Sequence, residues 1–344
     1  MRLNRRDFTR VAALSASAIG SGAISSAADA PGDLKIGLYS ITYGGVWYRG
    51  DALSLEQVIG RAKRFGYSGV EIDGKRPHGN PLDNPRTRCQ QLRKLAADQG
   101  IEIYAVAGNN DFSSPIPEHR EAQLVYNREL IRMTADLGAK AMRVFLGWPG
   151  VTNRAEGGSR YDQAQAAWKQ EHQGFTNEQT WAWCRDCLVE TARYAGDQGV
   201  TLALQNHPPV ITGYKDCLRM VRDVGSPHLK VCFDARLEHS LDAAGIRKAV
   251  NEVGALQALS HFGGEFDRAA DGIKGTEDMQ DKAEVAGLLD IGYRGYFGFE
   301  LCHPLPVVNG QLVGIDFVDK NAQLAYESLR GIIAEAKKQR PAKS

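Results

Sequence analysis

Four side chains with metal-ligating atoms stand at the ends of four successive apolar runs. They are Gln205, Asp234, His261 and Glu300. One imidazole, two carboxylates and one amide oxygen form a hard to borderline ligand set, which suits Mn²⁺, Mg²⁺ or Co²⁺ at an open six-coordinate site. A single polar residue in such a place is ordinarily a helix cap or a solvated group. Four in successive register instead indicate a metal site.

These four residues need strands to position them, and the sequence supplies a regular alternation. Short β-branched or aromatic runs alternate with amphipathic stretches, which predicts strand–helix units. The predicted strands cover residues 34–40, 67–73, 101–107, 139–146, 200–206, 229–234, 255–262 and 295–301. The predicted helices lie near residues 55–64, 87–98, 118–136, 177–197, 214–223, 243–252, 281–290 and 316–337. Ser54 with Gln57, and Thr176 with Gln179, have the spacing of capping boxes.

Glycines mark where the predicted helices end and the next strands begin. They are Gly66, Gly100, Gly138, Gly199, Gly225, Gly254 and Gly292. Glycine adopts the left-handed conformation that turns a chain sharply out of a helix, so these connections are short. The strand-to-helix connections are long, notably 74–86, 108–117, 147–176 and 263–280. Eight such units in residues 31–344 predict a single-domain (β/α)8 TIM barrel with its catalytic face on the long loops. A doubly wound sheet competes, but no G-x-G-x-x-G follows the first strand.

Side-chain parity along the strands predicts which polar groups enter the barrel. Glu71 on the second strand alternates with apolar neighbours that face the helices, so its side chain is predicted to point into the barrel. Gln205 and His207 are predicted to point inwards on the fifth strand for the same reason. Asp234 and Glu300 turn inwards by the same rule. Because neighbouring strands lie about 4.8 Å apart, side chains at their ends can converge on one ion.

The same residues carry a resemblance to a known family. Gln205-Asn206-His207 after Thr-Leu-Ala-Leu, Phe233-Asp234, Ser260-His261 and Phe299-Glu300 are similar to the metal-binding strand ends of the xylose isomerase-like barrels, the sugar phosphate isomerase/epimerase superfamily. Gly69-Val70-Glu71 is also similar to the family pattern, and the resemblance covers essentially the whole mature chain. It implies a divalent metal, usually manganese, and a reaction in which a proton moves next to a carbonyl.

The chain departs from the family pattern at Gln205, where a glutamate is commoner. An amide oxygen can ligate, but it carries no charge and cannot take a proton. The ligand charge falls from about −3 to −2, so we expect weaker metal affinity and a more Lewis-acidic ion. The two-glutamate arrangement of the family's ketose epimerases is missing. Glu300 remains as the base of the metal set, with His207, Glu71 or His78 as the second acid/base.

Three loop residues are candidates for contact with substrate. His78 lies in the loop after the second strand, Arg236 follows Asp234, and Trp47 offers an apolar face to a sugar ring. The loop of His78 fits a solvated segment equally well. Arg143, on the fourth strand, either pairs with an inward carboxylate or contacts an oxyanion.

Residues 1–30 have the order of features found in an export signal. Arg5-Arg6 with Phe8 resembles a twin-arginine motif, a weakly apolar run follows, and Ala28-Asp29-Ala30 offers a cleavage site. The run is too short and polar to span a membrane. The alternative is a basic N-terminal helix of a cytosolic protein. We expect export to the periplasm, which removes four arginines and two aspartates and changes the formal net charge from +1 to −1.

Composition excludes several classes of function. Lys plus Arg number 42 and Asp plus Glu 41, so no basic surplus exists for nucleic acid, and no segment predicts stable membrane insertion. Cys184-x-x-Cys187 stands alone in a helical stretch, which favours core packing over a zinc or redox site. The sequence leaves a homo-oligomer open.

We therefore expect an exported, metal-dependent carbohydrate isomerase, epimerase or eliminase that moves a proton beside a carbonyl of a sugar or keto-glycoside. One alternative is a non-catalytic sugar-binding barrel with a degraded metal site. Another is a relative of the family's abasic-site endonucleases, which the near-neutral charge and the missing zinc-cluster ligands oppose.

Overall fold

The computed structural model describes residues 34–148 and 160–340, so the predicted export signal lies outside the described residues. Eight parallel strands close into a barrel in the order β1 to β7, then β10, which pairs with β1. They are β1 (Lys35–Tyr39), β2 (Gly69–Asp73), β3 (Glu102–Ala107), β4 (Ala141–Val144), β5 (Thr201–Gln205), β6 (Leu229–Phe233), β7 (Gln257–Gly263) and β10 (Tyr296–Glu300). No barrel strand differs from its predicted bounds by more than two residues. The predicted TIM barrel is confirmed.

Helices surround the barrel and follow the predicted pattern. They are α1 (Leu55–Phe65), α2 (Arg86–Asp98), α3 (Pro117–Asp136), α4 (Tyr161–Glu171), α5 (Asn177–Asp197), α6 (Tyr214–Val224), α7 (Ala243–Val253), α8 (Asp278–Asp290) and α9 (Ile315–Lys338). Short 3-10 turns cover Ser40–Tyr43, Ala235–Leu237 and Gly254–Leu256. Helix α4 was not expected, and it lies within the long connection between β4 and α5.

Two small hairpins on the loops were also not expected. The first pairs β8 (Phe266–Ala269) with β9 (Gly272–Gly275), and the second pairs β11 (Val307–Val308) with β12 (Gln311–Leu312). Both follow the carboxyl ends of barrel strands, so they elaborate the face on which the polar strand ends lie.

Local sequence signals explain how the helices begin and end. Ser54 and Gln57 exchange the two hydrogen bonds of a capping box at the start of α1, and Thr176 and Gln179 do so at α5. All seven glycines predicted to end helices have positive φ, between 52° and 97°. Because this region disfavours other residues, glycine permits the tight return to each following strand.

The barrel interior is divided between an aromatic floor and a polar upper part. We call the stacked rings of Tyr104 and Tyr296 the aromatic floor; their centroids lie 4.0 Å apart with an interplanar angle of 7°. An added Cβ at Gly69 would lie 2.6 Å from the Tyr296 ring, so glycine makes room for this pair. Small apolar residues complete the layer, namely Ala105, Ala141, Ala203, Cys232 and Leu259. The polar strand ends therefore lie above a base of aromatic and small apolar residues.

The cysteines are free thiols, and both Cys184 and Cys187 are buried in the core, where they pack as apolar groups. Within residues 34–148 and 160–340, no helix is both long enough and apolar enough to cross a membrane.

Candidate active site

Three of the four predicted ligands converge at the carboxyl ends of neighbouring strands. Asp234 directly follows β6, His261 lies on β7 and Glu300 ends β10. One ligand atom from each lies within 4.8 Å of the other two. Asp234 and His261 are buried, and Glu300 is partly exposed to the cavity above. The strands thus deliver two carboxylates and an imidazole to one place.

The orientation of His261 suits a metal ligand. Its Nε2 lies 2.7 Å from Oε2 of Glu71, and because an ionised carboxylate only accepts, Nε2 carries the proton. In the neutral ring Nδ1 therefore keeps its lone pair; it is buried without a hydrogen-bond partner among the described residues and lies 3.7 Å from Oε2 of Glu300. Metal-ligating histidines ordinarily donate their other ring N–H to a carboxylate in this way. The orphaned Nδ1 fits a divalent cation beside Asp234 and Glu300.

Glu71 is committed to positioning other side chains. It is fully buried, and its second oxygen accepts from Nε of Arg143 at 2.9 Å. Burial alone would raise the pKa of Glu71, but His261 and Arg143 hold that pKa below its usual value. Glu71 is not among the described residues that line the cavity. Its expected role as an acid/base toward substrate is therefore corrected to one of holding His261 and Arg143.

Gln205 points its amide differently from the expectation. Nη1 of Arg143 donates to Oε1 of Gln205 at 2.6 Å, and Nε2 of Gln205 donates to Oδ2 of Asp234 at 3.1 Å. The guanidinium can only donate and the carboxylate can only accept, so both neighbours fix this amide orientation. Gln205 consequently presents its NH2 group to the ligand cluster. The expectation that its oxygen serves as a fourth ligand does not match this arrangement.

Arg236 binds the ligand carboxylates. Its Nη2 lies 2.9 Å from Oδ2 of Asp234 and 2.6 Å from Oε1 of Glu300, and its Nε lies 3.2 Å from Oδ1 of Asp234. Burial would raise the pKa of Glu300, but Arg236, then His261 and Arg143, lower that pKa to about 2. We expected Arg236 to contact substrate, whereas here it joins two of the predicted metal ligands.

A cavity of about 740 Å³ opens above this cluster. Trp47, His207 and Arg236 line it, as expected of residues that meet a substrate. The rings of His207 and Trp148 meet edge to face with centroids 4.3 Å apart. These rings give the cavity an apolar wall above a charged base, which is the composition of a small-molecule binding site.

His207 has the tautomer of a proton acceptor. Its Nδ1 lies 2.6 Å from the backbone oxygen of Pro208, and because a carbonyl only accepts, Nδ1 carries the proton. Nε2 therefore keeps its lone pair in the neutral ring. Burial, followed by the charge of Arg143, lowers the pKa of His207, which favours that neutral form.

His78 does not reach the cavity. Its side chain is buried, Nε2 lies 3.0 Å from the backbone oxygen of Leu53, and burial lowers its pKa. It is not among the described residues that line the cavity. The expectation that His78 contacts substrate is corrected: this imidazole fastens the second loop to the first. Lys75, three residues earlier, does line the cavity.

Several site residues were missed at the level of sequence. Tyr39 stacks on His261, with ring centroids 5.7 Å apart, and donates to Asp73 at 3.0 Å. Asn109 also donates to Asp73 and holds a positive φ of 44° at the cavity wall. Their common signal was a position at or just beyond a strand end, which alone does not separate them from ordinary loop residues.

A second layer fixes the turn after β6. Asn206 accepts from the backbone N–H of Asp234 at 2.9 Å and donates to its backbone oxygen at 2.9 Å. Glu284 accepts from the N–H of Ala235 at 3.0 Å, and its other oxygen contacts Oγ of Ser260. Oγ of Ser260 also lies 2.9 Å from the backbone oxygen of Phe233, so its single proton is shared between two acceptors, and a protonated Glu284 would satisfy both contacts. Burial, and then Asp234, raise the pKa of Glu284 accordingly.

The closed barrel and its ligand cluster at the carboxyl strand ends define a TIM-barrel protein with a candidate active site in the expected place. The chain belongs to the xylose isomerase-like TIM barrel family, whose model matches residues 59–329. A sequence search of curated proteins gave no significant match.

Solved structures with the same fold include several sugar epimerases. D-psicose 3-epimerase from Clostridium cellulolyticum H10, determined with D-tagatose, aligns with a TM-score of 0.64 and 18% identity over 87% of this chain and 99% of its own. An L-ribulose 3-epimerase aligns with a TM-score of 0.62 and 17% identity over 90% and 99%. The apo 3-keto-D-glucoside 4-epimerase of E. coli gives a TM-score of 0.62 and 17% identity over 88% and 100%. At this identity the likeness establishes the fold.

Proposed function

We propose that this protein is a divalent-metal-dependent sugar isomerase, epimerase or eliminase that moves a proton beside a carbonyl group. The observation that carries the proposal is the convergence of Asp234, Glu300 and the orphaned Nδ1 of His261 at the base of a sugar-sized cavity. The names of similarly folded proteins support it. In a ketose 3-epimerase and in a 3-keto-glucoside 4-epimerase, the carbon that is inverted adjoins the carbonyl.

Asp234, His261 and Glu300 would hold the metal, and their oxygen and nitrogen donors suit Mn²⁺, Mg²⁺ or Co²⁺. When bound, such an ion stabilises negative charge on a substrate oxygen. The chain supplies the remaining functions. Trp47 and Trp148 line the cavity and offer apolar ring faces to a sugar, and Arg143 lines it as well while donating to Gln205.

Within this reaction, His207 is the proton acceptor. Its Nε2 lone pair lies in a ring that lines the cavity, whereas the carboxylate of Glu300 belongs to the proposed metal ligands. A base is most effective when its pKa lies near the working pH, which favours an imidazole over a carboxylate of depressed pKa. Gln205 cannot carry a proton, so it cannot complete a pair of bases on opposite faces. Isomerisation or elimination with one base therefore fits these residues better than inversion by two carboxylates.

The test is exchange of substrate hydrogen with solvent. Purified protein loaded with Mn²⁺ is incubated in D₂O with a panel of ketoses and keto-glycosides, and deuterium at the carbon beside the carbonyl is followed by NMR. We expect exchange with at least one substrate and its loss in His207→Asn. His119→Asn, an exposed histidine on α3, is the matched control and should exchange normally. Undiminished exchange in His207→Asn would assign the base elsewhere.

A second candidate function is a non-catalytic sugar-binding barrel. The observation in its favour is that Arg236 balances the charge of the Asp234 carboxylate, and that Arg236 and Gln205 both donate hydrogen bonds to it. The same experiment separates the two functions. Sugar binding measured by calorimetry, with no hydrogen exchange at any metal concentration, would support the binding protein.

We also propose that the protein is exported through the twin-arginine route, on the strength of residues 1–30 alone. Arg5→Lys with Arg6→Lys should leave uncleaved precursor in the cytoplasm. Arg2→Lys with Arg10→Lys is the matched control and should be exported. Normal appearance of the first variant in the periplasm would refute this route.

A further inference from the structure

The carboxylate of Asp234 is fully occupied by donors from the chain itself. Oδ1 accepts from the backbone N–H of Arg236 at 3.1 Å and from its Nε at 3.2 Å. Oδ2 accepts from Nη2 of Arg236 at 2.9 Å and from Nε2 of Gln205 at 3.1 Å. An ionised carboxyl offers about four acceptor positions, and four donors fill them here. An ion can gain Asp234 only if a donor leaves.

Nη2 of Arg236 is the donor that lies between the two carboxylates among the proposed metal ligands. It reaches Oε1 of Glu300 at 2.6 Å as well as Asp234, so one N–H₂ group joins both carboxylates. The guanidinium side chain is 16% exposed and lines the cavity, whereas its backbone N–H remains anchored to Asp234. Its side chain can therefore turn into the cavity while the turn itself stays in place.

Arg143, the other guanidinium of the site, has a different role. It is almost fully buried and binds Glu71 and Gln205, not the carboxylates of Asp234 and Glu300. Removing it would unpair Glu71 and disturb His261. Arg236 is thus the cation whose release would open the carboxylate pair.

We propose that Arg236 is a displaceable internal cation. Without the ion it holds Asp234 and Glu300 together and offsets their repulsion, and binding of a divalent cation expels its Nη2 from between them. The released guanidinium then faces the substrate space that it already lines. This inference rests on the metal site of the proposed function but not on the reaction assigned to it.

The test measures metal binding and stability, with no assay of turnover. Isothermal titration with Mn²⁺, and thermal unfolding in EDTA and in Mn²⁺, are compared for the wild type, Arg236→Gln, Arg236→Lys and Arg247→Gln. The last removes an exposed arginine that pairs with Asp290 on α8 and is the matched control. We expect Arg236→Gln to bind Mn²⁺ at least tenfold more tightly and to melt at a lower temperature in EDTA.

Arg236→Lys keeps the positive charge but has only one donor group, so its affinity for Mn²⁺ should lie between those of the wild type and Arg236→Gln. This variant also preserves the test if Arg236→Gln folds poorly. The control should match the wild type in both measurements. Unchanged or weaker Mn²⁺ binding in both Arg236 variants, with a wild type that binds, would overturn this inference alone. Failure of every variant and of the wild type to bind Mn²⁺ would overturn the metal site of the proposed function and this inference with it.

Discussion

Replacing Gln205 with glutamate changes one donor of the site into a negative charge. In the wild type, Nε2 of Gln205 donates to Asp234 at 3.1 Å, and Oε1 accepts from Arg143 at 2.6 Å. In Gln205→Glu the contact with Arg143 is retained, but a carboxylate oxygen of the new glutamate replaces the NH2 group that donated to Asp234, so two carboxylates face each other. The variant therefore keeps the shape of the site and reverses the sign of one interaction.

The size of the effect follows from the separation of the charges. Two like charges about 4 Å apart repel by about 4 kcal/mol at an effective dielectric constant near 20. Attraction between the new carboxylate and Arg143 offsets part of this repulsion, so we expect the free energy of unfolding without metal to fall by roughly 2–3 kcal/mol. A divalent ion relieves the repulsion. Recovery of about 2.8 kcal/mol on binding would tighten metal affinity about a hundredfold, because each 1.4 kcal/mol is a factor of ten.

The assay is urea unfolding in EDTA and in Mn²⁺, combined with a calorimetric titration of the metal. Gln205→Glu should be less stable than the wild type in EDTA and gain more from Mn²⁺. Turnover should fall even so, because the added charge weakens the ion as an electrophile. Gln205→Met is the neutral control of similar length, and it should lose stability without gaining affinity. If Gln205→Glu is as stable as the wild type in EDTA and binds Mn²⁺ no better, the placement of this amide beside the ion is refuted.

Three further outcomes are expected. Burial raises the pKa of Glu284 in the folded state, so its contribution to stability is full below the unfolded pKa and is lost as pH rises through the folded pKa. In urea unfolding between pH 4 and 8, the free energy of unfolding of Glu284→Gln should therefore rise relative to that of the wild type as pH rises. A difference that stays constant with pH would contradict the raised pKa. Glu71→Gln should lower the free energy of unfolding by about 3–5 kcal/mol by unpairing Arg143 and weaken Mn²⁺ binding about 10- to 100-fold; calorimetry that finds unchanged affinity would refute its hold on His261. Gly66→Ala should lower the melting temperature, because φ is 97° at the end of α1 and the new Cβ would lie 2.8 Å from a tyrosine ring. Gly60→Ala, with open space around it, should instead raise the free energy of unfolding by about 0.5–1 kcal/mol. Equal melting temperatures for the two variants would contradict this.

The barrel could be predicted from the sequence because its signals are local. Gly66 and its counterparts act within one turn, and the capping box of Ser54 spans three residues. Two overlooked signals were equally local. Asn309-Gly310 has two positive φ angles in the hairpin turn of β11 and β12, and Asp271-Gly272 joins the turn of the other hairpin to the start of β9. Both dipeptides are strong turn formers. Helix α4 lacked such a signal within a connection that reads as a long loop.

For the candidate site, the sequence could predict only which side chains point into the barrel, because that follows from the alternation along each strand. Parity placed Asp234 and Glu300 correctly because alternation along one strand fixes the face on which a side chain lies. The amide orientation of Gln205 depends on Arg143, a residue 62 positions away in sequence. The burial of His78 depends likewise on a carbonyl of another loop. Such contacts between distant segments are set by the folded geometry, so no spacing in the sequence could reveal them.

The aromatic floor also bears on the order in which molecules enter and leave. Tyr104 and Tyr296 close the barrel beneath the polar strand ends, and the cavity opens toward the loops. A metal ion and a sugar would then share one entrance, with the ion beneath the sugar. An ion held by Asp234, His261 and Glu300 would then bind before the sugar and leave after it, and a bound sugar should slow its dissociation. A chelator added to the ternary complex should therefore remove the metal at a rate limited by departure of the sugar.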